Sequence, residues 1–178
     1  ITGKQSKYIR DIITEVKRWE SVPDRREPVT KDMIEYIFNK GISLKKSNKD
    51  NIYTSLADWL IIGQQSGFRR KEWAQDRSYL KKYKDIQRNV DGSSSAFILS
   101  DFEFRGKNNR RIAQDSNSEI SKACIVNTKW RFQKNNDNGQ IISYVADNSN
   151  KLHCYLRACK RIRERAIRLK QVSDKPIA

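Results

Sequence analysis

Several patterns that would assign a chain of 178 residues to a particular class of protein are missing here. The longest apolar run, at residues 57–63, is far shorter than the roughly 18 residues needed to cross a bilayer, and Asp58 interrupts it. The three cysteines, Cys124, Cys154 and Cys159, lack C-x-x-C spacing, which favours neither a disulfide framework nor a zinc site. We therefore expect neither a membrane-spanning segment nor a bound metal. We also expect a reducing, intracellular compartment, which would be the nucleus in a eukaryote and otherwise the cytoplasm.

The beginning of the chain, ITGKQSKYIR, has neither an initiating methionine nor an apolar signal region. This start predicts a stretch of a longer polypeptide rather than a secreted precursor. Proline is rare, and two of the three prolines lie in SVPDRREP at residues 21–28, a composition typical of a linker. A domain boundary is therefore expected near Pro23 to Pro28.

Acidic residues are also few, with 21 Asp and Glu against 37 Lys and Arg, a formal net charge of +16. Such a surplus hinders compaction by self-repulsion unless a polyanion neutralises it, and nucleic acid is the leading candidate. A basic surface that is only solvated, as in ribosome-associated proteins, is the alternative. Because apolar residues make up 37% and include four Trp, seven Tyr and six Phe, the chain should still fold.

The spacing of apolar residues predicts four helices. The first covers residues 8–19, and the second covers residues 31–40 with Thr30 as N-cap and Gly41 as a left-handed C-cap. The third runs from Ile52 to Gly63 and is apolar almost all round, which is typical of a buried helix. The fourth covers residues 152–169, and its polar faces are basic: Arg157, Lys160, Arg161, Arg163, Arg165, Arg168 and Lys170.

Three runs rich in β-forming residues, 95–104, 123–132 and 140–145, predict strands. The Asn138-Gly139 pair between the last two is the strongest short hairpin signal. A basic loop, GKNNRR, follows the first strand. The order of elements predicts an α+β fold that is mainly helical with a small three-stranded antiparallel sheet.

The segment GFRRKEW, residues 67–73, places two arginines and an acid directly after the predicted buried helix. If the segment is helical, Arg69 and Glu72 share a face, so the carboxylate can hold the guanidinium while its fork reaches a phosphate. That arrangement would be an oxyanion clamp. An ordinary surface ion pair has the same spacing.

Gly67, Phe68, Arg69 and Glu72 match the G-[LF]-R-x-x-E box of the tyrosine recombinases, which break and rejoin DNA, and the chain resembles that family in further features. Residues 26–38 look like the first helix of the catalytic domain, and residues 130–145 resemble its lysine-bearing hairpin. Residues 152–169 look like its C-P-V-x-A helix, with Tyr155 in place of proline. The resemblance implies that residues 1–25 end a helical core-binding domain and that residues 26–178 form the N-terminal part of an integrase-like catalytic domain.

The resemblance also implies roles for individual residues. Arg69 would stabilise the charge on the transferred phosphate, Glu72 would hold it, and Lys134 at the hairpin turn would protonate the leaving 5′ hydroxyl. Lys129, within the strand, is the second candidate for this proton donor. Alternatively, Lys134 is only a solvated lysine in the turn, without a catalytic role. The implied partner is double-stranded DNA, bound by a homo-oligomer without a metal, nucleotide cofactor or small-molecule substrate. Predicted DNA contacts are Arg70, Lys71, Arg105, Lys107, Arg110, Arg111, Lys129, Arg161 and Arg165.

Other parts of the family pattern are missing. No H-x-x-R box or nucleophilic tyrosine is recognised, and His153 stands outside the expected spacing, while Tyr144 and Tyr155 fit packing positions. If the chain is a fragment of a recombinase, we therefore expect it to be unable to cleave DNA by itself. A degenerate, non-enzymatic DNA-binding module derived from a recombinase is the rival hypothesis. A basic RNA-associated protein without this fold is a third.

Overall fold

The computed structural model describes residues 28–44, 51–67, 74, 81–83, 88–89, 92–114, 116–131, 138–171 and 175–177. Its named helices are α1 (Lys31–Leu44), α2 (Ile52–Ser66), α3 (Asn117–Ser121) and α4 (Tyr155–Arg168). The strands β1 (Phe102–Arg105), β2 (Ile125–Lys129) and β3 (Ile141–Val145) form an antiparallel sheet in that order. The predicted α+β class with a small three-stranded sheet is confirmed. The predicted helix at residues 8–19 and the domain boundary lie outside the described residues.

Helix α1 begins where the sequence predicts and ends later. The Thr30 hydroxyl accepts a 3.3 Å hydrogen bond from the Met33 N–H, as an N-cap should. The predicted C-cap at Gly41 is wrong, because Gly41 is buried inside the helix, which continues to Leu44. A Cβ at Gly41 would lie 2.6 Å from Thr54 Cγ2, so the missing side chain lets α1 approach the start of α2. The Asn51 side chain joins the two helices by donating to the Gly41 carbonyl at 2.7 Å and accepting from the Thr54 N–H at 3.1 Å.

Helix α2 is buried on one side rather than all round. Its buried positions include Ala57, Ile61 and Ile62, whereas Ile52 is 75% exposed. The helix extends three residues beyond the predicted end and stops at Gly67, which has a left-handed φ of 70° and donates its N–H to the Gly63 carbonyl at 3.0 Å. Glycine adopts this conformation without steric cost, which explains why the helix ends there.

Strand β1 is shorter than predicted. Residues 99–101 form a 3₁₀ turn instead of strand, because the buried Asp101 carboxylate accepts a 2.8 Å hydrogen bond from the Ile98 N–H and folds the chain back locally. The hairpin prediction is supported at its described end, where Gly139 has φ of 85° and donates to the Trp130 carbonyl at 2.7 Å. In register, Arg105 lies opposite Ile125 at one end of the sheet. Lys129 lies opposite Ile141 at the other end.

The core lies between one face of the sheet and the helices α2 and α4. Alternate strand residues such as Phe104, Val126 and Thr128 are fully buried. The rings of Tyr144 and Tyr155 stack with centroids 3.6 Å apart, and the Tyr155 hydroxyl donates to Thr128 at 3.3 Å. These two tyrosines therefore serve packing, as the sequence indicates. Within the described ranges, no helix is long and apolar enough to cross a membrane.

Candidate nucleic-acid interface

The basic loop, residues 106–111, is a tightly folded connection after β1. Gly106 donates its N–H to the Arg110 carbonyl at 2.8 Å, which closes the loop. Asn108 and Asn109 both adopt left-handed conformations, with φ of 55° and 60°, as short polar side chains tolerate better than most. Arg105 at the end of β1 donates to the Asn109 carbonyl at 3.2 Å. The loop is therefore held by its own backbone and by the preceding strand, and Lys107, like Arg110, is exposed.

Glu103 organises two of the predicted DNA-binding arginines on the solvent-facing side of the sheet. Its carboxylate accepts a hydrogen bond from Arg105 Nη2 at 3.2 Å and forms an ion pair with Arg111, whose Nε lies 3.3 Å away. Asn127 on β2 donates to the same carboxylate at 3.4 Å and accepts from Ser143 on β3 at 2.8 Å. One carboxylate balances only one positive charge, so the pair of arginines keeps a net positive charge.

Lys107 and Arg110 project from the loop without an ion pair to any acid in the described part of the chain. Together with Lys122 and Glu119 they line a cleft of about 490 Å³ between the loop and α3. Sequence reasoning missed Lys122, because an isolated lysine after a short helix carries no local signal of the loop beside it. The cleft brings three cations and one carboxylate together.

Lys129, the second candidate for the hairpin lysine, is exposed at the end of β2. It borders a groove of about 610 Å³ that also includes Glu103, Arg111 and Ile141. The nearby Asp101 is buried, and burial raises the pKa of its carboxyl above the usual range, against the opposing effect of Arg131 and Lys129. The positive charge of Lys129 therefore faces a surface groove beside a buried acid.

Arg161 and Arg165, two further predicted DNA contacts, turn toward the protein interior. Arg161 Nε lies 2.6 Å from one oxygen of the fully buried Asp58, and Arg165 Nη2 lies 3.2 Å from the other. Burial raises the pKa of Asp58, and the charges of both arginines oppose this rise. Only 27% of the Arg161 side chain and 12% of the Arg165 side chain remain exposed. This triad joins α2 to α4, so both arginines have a structural role whatever they contact besides.

The predicted catalytic residues Arg69, Glu72 and Lys134, and the DNA contacts Arg70 and Lys71, lie outside the described residues, so these assignments stay predictions. The structure describes what flanks them. Before the arginine box, Gln64 Nε2 donates to the Val29 carbonyl at 3.1 Å and Gln65 Nε2 donates to the His153 carbonyl at 3.2 Å. These bonds tie the end of α2 to the residues just before α1 and α4.

His153 is buried, with 3% of its surface exposed, and its Nδ1 has no hydrogen-bond partner among the described residues. Within the same residues, no group of three His, Cys, Asp or Glu side chains is placed to hold a metal ion. Comparison of the chain with protein-family models, curated proteins and solved structures finds no match.

Proposed function

We propose that this chain is part of a DNA breaking and rejoining enzyme of the tyrosine recombinase type. The observation that carries the proposal is the left-handed Gly67, which ends a buried and anchored helix two residues before Arg69. A fixed helix end gives the following residues a defined starting point, and a phosphate clamp requires such preorganisation. The antiparallel sheet and the basic α4 follow in the order that the resemblance implies.

In the proposed reaction, a tyrosine oxygen attacks a DNA phosphorus and the bond to the 5′ oxygen breaks. Arg69 stabilises the charge on the non-bridging oxygens with its bidentate guanidinium, and Glu72 holds that guanidinium in place. Lys134 gives a proton to the departing 5′ oxygen, with Lys129 as the alternative donor. Tyr155 is buried in the core and the partly buried Tyr144 stacks on it, so we assign the nucleophile to neither of them and expect another segment of the protein to supply it.

The proposed substrate is double-stranded DNA, bound by a homo-oligomer in the compartment that holds the DNA. The net charge of +16 and the exposed basic loop support binding through phosphates. Because each neutralised phosphate releases counterions, log affinity should fall linearly with log salt, with a slope of roughly −0.9 per phosphate. A flat salt response, or no duplex binding at low salt, would contradict the proposed DNA contact.

A non-enzymatic DNA-binding module is the second candidate. The observation that favours it is the cleft of Lys107, Arg110 and Lys122, which offers positive charge without any contribution from the arginine box. A module of this kind would bind DNA equally well with or without Arg69.

The experiment that separates the two compares Arg69→Lys with Arg70→Lys in the natural full-length protein. Consecutive helical residues point about 100° apart, so only Arg69 can share a face with Glu72. Arg69→Lys keeps the charge and loses the bidentate fork, so we expect DNA affinity to stay nearly constant while single-turnover cleavage falls by orders of magnitude. Arg70→Lys is the matched control and should change neither quantity much. Cleavage by the Arg69 variant at the unmodified rate would favour the binding module.

A further inference from the structure

We propose that the cleft lined by Lys107, Arg110 and Lys122 is a second DNA-backbone site, which grips the duplex at a distance from the phosphate that reacts. This inference rests on the proposed function for its partner, duplex DNA. It adds a residue, Lys122, that the sequence pattern does not indicate, and it assigns the cleft to affinity rather than to chemistry.

The sheet register separates the cleft from the hairpin. The basic loop leaves β1 after Arg105, which lies opposite Ile125 at the start of β2. The hairpin that carries Lys134 leaves the other end of β2, beyond Lys129. With a rise of about 3.3 Å per residue, the four steps along β2 alone span roughly 13 Å. The cleft therefore lies at the opposite end of β2 from the described base of the hairpin at Trp130 and Gly139.

The charges of the cleft are available for a ligand. Glu103, an acid near the loop, forms ion pairs with Arg105 and Arg111. Among the described residues, no acid lies within salt-bridge distance of Lys107, Arg110 or Lys122. Glu119 is the single acid at the cleft, so these four side chains carry a net charge of +2. An exposed cleft with a net positive charge, on a chain of net charge +16, fits a polyanion better than a protein partner with mixed charges.

The backbone that presents these cations is already fixed. On the loop side, Gln114 accepts from the Phe104 N–H at 3.3 Å and donates to the Phe104 carbonyl at 3.2 Å, which fastens the returning chain to β1. On the other side, Lys160 Nζ donates to the carbonyls of Ser121 and Ala123 at 2.9 and 3.1 Å, so it holds the backbone on both sides of Lys122. A preformed site loses less conformational entropy when a phosphate binds.

The test compares two triple variants in the natural full-length protein. The cleft variant replaces Lys107, Arg110 and Lys122 with alanine. The control variant replaces Lys40, Lys81 and Lys151, three exposed lysines outside the cleft, and removes the same net charge. Equilibrium binding to a duplex is measured over a range of salt concentrations, and urea unfolding verifies that both variants are folded.

We expect the slope of log affinity against log salt to become shallower by roughly 2 to 3 in the cleft variant and to change by less than about 1 in the control. Hydroxyl-radical footprinting should show protection lost at backbone positions away from the cleavage site and kept at the site itself. A variant that keeps Arg110 and carries arginine instead of alanine at positions 107 and 122 should have the same slope as the unmodified protein.

Equal slopes in the cleft and control variants would overturn the proposal, and so would loss of protection at the cleavage site itself. A cleft variant that loses binding to an acidic peptide and keeps its DNA slope would also overturn it, since the partner would then be a protein. The outcome is separable from that of the proposed function. If Arg69→Lys leaves cleavage intact while the cleft variant loses slope and distant protection, the cleft stands as a DNA site and the enzymatic proposal falls.

Discussion

Arg131 donates its Nε–H to the Oδ2 atom of Asp101 at 2.6 Å. This ion pair joins the residue just before β1 to the segment that follows β2. Only 14% of the Arg131 side chain and 1% of the Asp101 side chain are exposed. The same carboxylate oxygen fixes the Ile98 N–H, and the Arg131 carbonyl accepts from Asn89 at 3.3 Å. Because Lys134 lies three residues after Arg131, this ion pair anchors the base of the hairpin that carries the proposed proton donor.

We expect Asp101→Asn to lower the free energy of unfolding by roughly 3 kcal/mol, because removal of one partner leaves the other charge poorly compensated in a buried site. Urea unfolding followed by circular dichroism gives this value directly. Asp32→Asn is the control, since Asp32 is exposed in the first turn of α1, and it should cost less than about 1 kcal/mol. A loss of the same size in both variants would show that the Asp101 pair has no special part in stability.

Arg165→Ala should separate structural arginines from DNA-binding ones. The Arg165 guanidinium already faces Asp58, so we expect a loss of about 2 to 3 kcal/mol in unfolding free energy and an unchanged salt slope of DNA binding. Arg110→Ala is the reciprocal control, because its side chain is exposed and forms no ion pair with the described acids. It should keep stability and reduce the slope by about 1. If Arg165→Ala reduces the slope as much, the sequence-based assignment of Arg165 to DNA holds.

Gly41→Ala should destabilise the chain although alanine favours helix. The new Cβ would lie 2.6 Å from Thr54 Cγ2 and 2.9 Å from the Thr54 backbone nitrogen, and a backbone atom cannot easily move away. Overpacking of this kind costs about 1 to 3 kcal/mol, against a gain in helix propensity of up to about 1 kcal/mol. We expect a net loss of roughly 1 to 2 kcal/mol by urea unfolding.

The control for this change is Gly106→Ala. Its Cβ would meet no atom closer than 3.7 Å, and the residue has an ordinary φ of −83°. We expect its unfolding free energy to stay within about 0.5 kcal/mol of the unmodified chain, as for most surface substitutions. A stabilising Gly41→Ala would mean that the two helices separate at no cost.

Stability should fall at alkaline pH because of the stacked tyrosines. Burial raises the pKa of Tyr144 to about 12 and also raises the pKa of Tyr155. An unfolded tyrosine loses its proton near pH 10, so the folded chain binds more protons between about pH 10 and 12 and the free energy of unfolding decreases through that range. Urea unfolding at several pH values should show a shallower decrease in Tyr144→Phe. Tyr36→Phe, at an exposed ring on α1, should keep the original slope.

The sequence predicts the described elements well where one local signal decides them and fails where distant residues decide or where a second local interaction competes. Thr30, the Asn138-Gly139 pair and the apolar face of α4 are local signals: Thr30 caps α1, β2 pairs with β3, and Leu156, Cys159, Ile162 and Ala166 of α4 are buried. The helix is shorter than the predicted residues 152–169, and Leu169, predicted on the apolar face, is 52% exposed. Gly41 misleads because a capping glycine and a packing glycine look alike in sequence, and only the approach of Thr54 distinguishes them. The predicted start of β1 at residue 95 is wrong, because the Asp101 carboxylate accepts a hydrogen bond from the Ile98 N–H and folds this apolar segment into a turn.

The candidate site shows the same limit. Asp58 is a single charge in an apolar run, and its partners Arg161 and Arg165 lie more than a hundred residues further along the chain. Basic composition alone therefore could not distinguish these arginines from exposed ones such as Arg110. Lys122 was missed for the complementary reason, since its relation to the basic loop exists only once the end of α3 lies beside that loop.

The indole of Trp130 is fully buried, with its ring centroid 4.7 Å from that of Phe97, and its backbone receives the N–H of Gly139. An indole in such apolar surroundings emits at shorter wavelength than one in water. Trp130 is therefore a built-in fluorophore at the base of the hairpin. In a variant whose other three tryptophans are replaced by phenylalanine, water reaching this ring as the hairpin meets DNA would shift the emission to longer wavelength, so binding would be visible without an added label.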